Sequence, residues 1–110
     1  MYIKNNMTVE LNVKDRLVLV SILPVQGKMT DLVEVIDLIR LIKLTDDEKT
    51  EIGYTEKEGR IFWDITKETP REFEINFEQL RIIKESIKKM DDEGKIDLSI
   101  LSTCLKFSKL

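Results

Sequence analysis

Thr30–Leu44, TDLVEVIDLIRLIKL, constrains the fold of this chain more than any other stretch. Nine of its fifteen residues are aliphatic, and its charges fall at Asp31, Glu34, Asp37, Arg40 and Lys43. With no Gly or Pro and with Thr30 placed to cap it, the segment predicts a helix. Acids near its start and bases near its end suit the helix dipole. A charge at every third position does not stay on one face of a helix with 3.6 residues per turn. At about 100° per residue, the charged positions wind through roughly 240°. A surface helix keeps one fixed apolar stripe. This pattern instead predicts a central core helix covered on different sides at its two ends. If the chain cannot cover it, Ile36, Ile39 and Ile42 become the centre of a subunit interface.

Upstream, Met7–Val13 alternates apolar and polar residues and predicts a short strand with Met7, Val9, Leu11 and Val13 on one side. Residues 1–6 read as a polar N-terminal stretch. Asn12 and Asp15 have capping-box spacing, so a helix is expected from about Lys14 to Leu23. A buried strand over Leu17–Leu23 is the alternative, because Val and Ile are common there. Pro24 ends the segment.

Downstream, Thr45 and Glu48 form a second capping box that opens a short helix ending by Gly53. The period then changes to two. Ile52 with Tyr54, then Ile61, Trp63 and Ile65, then Phe73, Ile75 and Phe77 read as three strands joined by short turns. Short connections predict a three-stranded antiparallel meander with one packed face. Asn76 and Gln79 make a third capping box. It is followed by an apolar seam at Leu80, Ile83, Ile87 and Met90, and Gly94 stops the helix. A last helix from about Asp97 to Phe107 carries Leu98, Leu101 and Leu105 on one line. Ile100, Cys104 and Phe107 lie beside them, which predicts a wedged helix. The expected class is α+β, a single domain with a helical N-terminal half, a meander and two C-terminal helices.

The chemistry is sparse. The 110 residues contain no histidine, which removes the usual general base and the common catalytic triads. Cys104, the chain's only cysteine, has no disulfide partner and lies on an apolar line, where it reads as a small buried hydrophobe. The clusters Asp46-Asp47-Glu48 and Asp91-Asp92-Glu93 lack the spacing of a calcium loop and read as a helix start and a solvated turn. No metal and no cofactor are expected, and no catalytic residue is assigned. The longest apolar run is too short and too charged to span a bilayer, and no secretory leader is evident, so a soluble cytoplasmic protein is expected.

Two surfaces remain as candidates. Phe62 stands back to back with Trp63 on one strand, so one of them must face away from the packed side. With Tyr54 it marks an expected contact for a protein partner or a second copy. Arg81, Lys84, Lys88 and Lys89 form a basic helix face that nucleic acid would require. Glu78 and Glu85 interrupt it, and the net charge of −3 gives no general attraction to phosphates. A helix followed by a hairpin also invites comparison with a winged helix, but TDDEKTEI would set four acids against the DNA.

At RLVLVSILP (Arg16–Pro24), TDDE (Thr45–Glu48) and RIFWDIT (Arg60–Thr66), the chain resembles small uncharacterised proteins of bacteriophage and prophage genomes. The resemblance covers roughly residues 10–107. It implies a bacterial cytoplasmic setting and carries no active-site residue. A non-enzymatic interaction module, working as a homodimer, is the expected function; a weak nucleic-acid binder is the alternative.

Overall fold

Three capping boxes set the frame of the molecule. The computed structural model describes residues 6–110, so the N-terminal stretch 1–5 lies outside the described residues. The boxes at Asn12/Asp15, Thr45/Glu48 and Asn76/Gln79 are all formed, each with the side chain and backbone bonds that satisfy orphan helix donors. In chain order the elements are β1 (Asn6–Leu11), α1 (Val13–Ile22), α2 (Met29–Ile42), α3 (Asp46–Ile52), β2 (Thr55–Lys57) and β3 (Arg60–Phe62). A 3₁₀ turn (Ile65–Lys67), β4 (Arg71–Asn76), α4 (Phe77–Asp92) and α5 (Leu101–Ser108) complete it. α1 is a helix, not the alternative strand. Gly53 and Gly94 end α3 and α4 in the left-handed region, at φ 68° and 66°, where a Cβ would be strained.

The class is α+β, but the meander does not form. β4 pairs antiparallel with β1, and β2 pairs only with β3. The register explains the choice. Val9 lies opposite Phe73 and Met7 opposite Ile75, so both strands of the β1–β4 ribbon turn their apolar residues to one face. Every residue of β2 and β3 is exposed, so this hairpin offers β4 no face to share. Asp64 also interrupts the run by accepting from Thr66 N (3.0 Å) and starting the 3₁₀ turn. Ile52 belongs to α3, and Phe77 opens α4 with its side chain exposed, so neither is a strand residue.

The central helix is α4. It packs against α1, α2, α5 and β4. Its buried residues are Gln79, Ile82, Ile83 and Ile87; Leu80 and Met90 are half-buried at the edges of the expected seam. α2 instead buries one stripe, Val35, Leu38 and Ile42, against α4 and β4, and leaves Met29, Val33, Ile36 and Leu41 exposed. It begins at Met29 with Lys28 as its N-cap, so Thr30 is a first-turn residue. Ile42 is fully buried and cannot centre an interface. α5 is likewise one-sided: Thr103, Cys104 and Phe107 face in, while Leu101 and Leu105 face out, and Leu98 lies exposed in the turn before it. It starts later than expected because Asp97 accepts from Ser99 N (2.8 Å) and holds a turn there.

The main core joins the ribbon, α1, α2, α4 and α5. A second, smaller cluster of Val13, Leu44 and Ile52 with Leu17, Tyr54 and Trp63 lies under the hairpin. No helix among the described residues is long and apolar enough to cross a membrane.

Candidate interaction surfaces

The two clusters meet at a buried ionic junction. Arg16 sits on α1 with its side chain 4% exposed. Its Nε donates to Ile42 O (2.7 Å) and its Nη2 to Lys43 O (3.0 Å), satisfying carbonyls at the end of α2. The same guanidinium meets Glu48 in a two-pronged pair, at 2.6 and 3.0 Å. Arg71 adds a third bond to Glu48 at 3.0 Å, and both guanidiniums lie over the Phe73 ring. Arg16, then the Thr45 backbone and Arg71, hold the Glu48 carboxyl far below the usual carboxylate range despite its partial burial. A carboxylate so firmly ionised is a structural anion and a poor proton acceptor at neutral pH.

Two further ties fasten the N-terminus of α1. Asp15, itself buried, closes the capping box and accepts from Thr103 Oγ1 (2.6 Å) and from Lys106. Glu68 accepts from Val13 N (2.8 Å) and from Trp63 Nε1 (3.3 Å). These residues are architectural. The sequence separates Arg16 from the exposed Lys14 only by its place immediately before the apolar run Leu17–Leu23.

Phe62 is 52% exposed, on the outer side of the hairpin. Tyr54 does not join it. Strand alternation places Tyr54, Ile61 and Trp63 on the opposite, inner side, where Tyr54 and Trp63 pack on the small cluster. The Lys49 ammonium lies 4.9 Å from the centre of the Tyr54 ring. Burial, then the neighbouring Glu56, pushes the Tyr54 phenol upward. Tyr54 and Ile61 instead line a cleft of about 310 Å³ with Leu17, Val20, Lys43 and Lys49.

The basic face of α4 is interleaved with acids. Arg81 pairs with Asp31 (2.8 Å), Glu78 (2.9 Å) and Glu85 (3.0 Å), and Lys88 pairs with Asp92 (2.9 Å). Lys84 donates to Leu110 O (3.2 Å). Lys89 is exposed and makes no ion pair among the described residues. Arg81, Lys84 and Lys88 rim an open groove of about 580 Å³ floored by Leu80 and Ile87, with Phe77 at its side. Four anions among four cations leave little field to collect phosphates.

The exposed apolar surface of α2 includes Ile36 of the alternative interface but centres on Met29 and Val33 in place of Ile39 and Ile42. Met29, Val33 and Ile36 are 84%, 58% and 49% exposed. Their spacing of four and three makes a straight seam, continued in register by the exposed Arg40.

Cys104 is buried on α5, and burial pushes its thiol upward, away from the reactive thiolate. Among the described residues, no group of three His, Cys, Asp or Glu is placed to hold a metal ion. Comparison with protein-family models, curated proteins and solved structures gives no match to this chain.

Proposed function

We propose that this chain is a non-enzymatic protein-interaction module, of the type carried in phage and prophage genomes, that assembles as a homodimer through the outer face of α2. The observation that carries the reading is the exposed Met29–Val33–Ile36 seam on a helix whose opposite stripe is already packed. A stripe of aliphatic ridges with no pocket fits the ridges and grooves of another helix. The same patch on a second copy gives a closed, two-fold contact. The phage-type origin is supported by the resemblance at Arg16–Pro24, Thr45–Glu48 and Arg60–Thr66. Three features support a non-enzymatic role: the chain has no histidine, its cysteine is buried, and Glu48 is locked between arginines.

One helix pair buries less than the roughly 800 Å² per partner of a standard interface, so a dimer of micromolar strength is expected. Sedimentation velocity across a concentration series tests this. The chain should shift from monomer to dimer, and Ile36→Lys should stay monomeric with an unchanged melting temperature. A wild-type chain that is monomeric at high concentration refutes the homodimer. The nucleic-acid reading, through Arg81, Lys84, Lys88 and Lys89, has weaker support because acids neutralise that face.

A further inference from the structure

We propose that the cleft between α1, the end of α2 and the β2–β3 hairpin binds a small amphipathic anion, a monocarboxylate with an apolar body. The proposal does not depend on the α2 seam. Leu17 and Val20 of α1 form one wall, Tyr54 and Ile61 of the hairpin the other, and buried Ile42 and Leu44 lie beneath. At about 310 Å³ the cleft is at the small end of ligand pockets, with room for one small molecule and not for a helix.

Charge selects the ligand. The charged residues lining the cleft are Arg16, Lys43 and Lys49, with no acid among them. Glu48 and two backbone carbonyls already satisfy the Arg16 guanidinium. Lys43 and Lys49 make no ion pair among the described residues. Glu56 shares the inner side of the hairpin with Ile61 and accepts from the Tyr54 hydroxyl at 3.4 Å, so the rim keeps an excess of positive charge. Both lysines are also anchored. Arg16 Nη2 bonds the Lys43 carbonyl (3.0 Å), and the Lys49 ammonium lies 4.9 Å from the centre of the Tyr54 ring. The α4 groove differs: there Arg81 and Lys88 meet acids and Lys84 bonds Leu110 O. An apolar body in the cleft leaves water while its carboxylate stays at a wet cationic rim, which favours an anion over a neutral or cationic ligand of the same shape.

Octanoate is the probe, with octanol and octylammonium as its neutral and cationic counterparts. Trp63, the chain's only tryptophan, packs on the same small cluster as Leu17, Leu44 and Tyr54, so its fluorescence reports occupancy. Octanoate should give a saturable change with Kd about 1 mM, octanol a weaker one and octylammonium none. In an amide NMR titration the shifts should gather at Leu17, Val20, Lys49 and Ile61. Lys43→Met combined with Lys49→Met keeps both stems and should weaken octanoate roughly fivefold, with octanol unchanged. Val20→Glu, on the exposed wall, sets an acid in the cleft and should abolish octanoate binding. Equal binding of the three probes, no saturable response to octanoate, or shifts gathered at Leu80, Lys84 and Ile87 overturns the site. So does octanoate binding that neither variant weakens. Shifts at Tyr54 and Ile61 that appear on concentrating the protein alone mean that a second copy covers the cleft, and overturn it too.

Discussion

Replacing Arg16 by Met keeps the side-chain stem and removes the guanidinium from the centre of the molecule. Four hydrogen bonds go with it: two to the carbonyls of Ile42 and Lys43, and two to Glu48. The α2 carbonyls are left facing apolar side chains, and Glu48 keeps Arg71 and its capping bond to Thr45 N. Breaking a buried pair by removing one partner costs about 3–5 kcal/mol. Glu48 retains an arginine and is 19% solvent-exposed, which places this case near the lower end, about 3 kcal/mol. For a domain of this size that corresponds to a melting temperature roughly 12 °C lower. Urea unfolding of Arg16→Met, Glu48→Gln and the double variant provides the measurement. The two losses should be strongly non-additive, with a coupling above about 1.5 kcal/mol. Arg16→Met combined with Glu48→Met should recover much of the loss, because an apolar pair of similar volume needs no desolvated ions. The reasoning fails if Arg16→Met costs under about 1 kcal/mol, or if the single losses simply add.

The same junction sets an acid limit on stability. The carboxyl of Glu48 is depressed in the folded state, so its contribution is complete above its unfolded value near 4.5 and is lost as pH falls below it. Melting scans from pH 6 to pH 3 should therefore fall more steeply for the wild type than for Glu48→Gln. Thr103→Val removes the hydroxyl donor from buried Asp15 and should cost about 1–3 kcal/mol in urea unfolding, although the shape is unchanged. Phe62→Ala, on an exposed hairpin face, should leave stability within about 0.5 kcal/mol. A fluorescent DNA duplex titrated at low salt should show no binding that Lys84→Glu or Lys88→Glu abolishes, given the acids around those bases.

Local signals in the sequence were reliable where one short-range interaction decides the outcome. Asn12/Asp15, Thr45/Glu48 and Asn76/Gln79 each fix a helix start by bonds spanning three residues, and all three form. Gly94 marks its helix end for the same local reason. Pairing between strands is not local. Nothing in the alternation of Arg71–Phe77 says whether its partner is the preceding hairpin or a strand some sixty residues earlier. The deciding fact is that Val9 and Leu11 bring an apolar face and the hairpin brings none. Aliphatic content misled in a similar way. α2 is richer in aliphatics than α4, yet α4 takes the centre because Ile82, Ile83 and Ile87 are reached from several sides while its charges stay outward. Proximity along the chain groups Tyr54 with Phe62; alternation of side chains in the hairpin separates them.

The charges of α2 now have a physical account that joins the fold to the proposed interface. Each step of three residues turns the charged position back by about 60°. The line of charge therefore starts with Asp31 in line with the packed stripe, four residues before Val35, and ends on the outer face. At its start the acids are satisfied within the chain, Asp31 by Arg81 at 2.8 Å and Glu34 by Asn76 Nδ2 at 3.0 Å. At its end Asp37, Arg40 and Lys43 point to solvent. Winding charge divides the aliphatic residues into two stripes: Val35, Leu38 and Ile42 inward, and Met29, Val33 and Ile36 outward. One stripe is enough to hold the helix on α4. The second adds nothing to the fold of a single chain and stands as an exposed apolar stripe of the kind that marks a contact surface. The 3-residue charge period thus anchors the helix at its acidic start and leaves Asp37 and Arg40 to solvent beside the outer stripe.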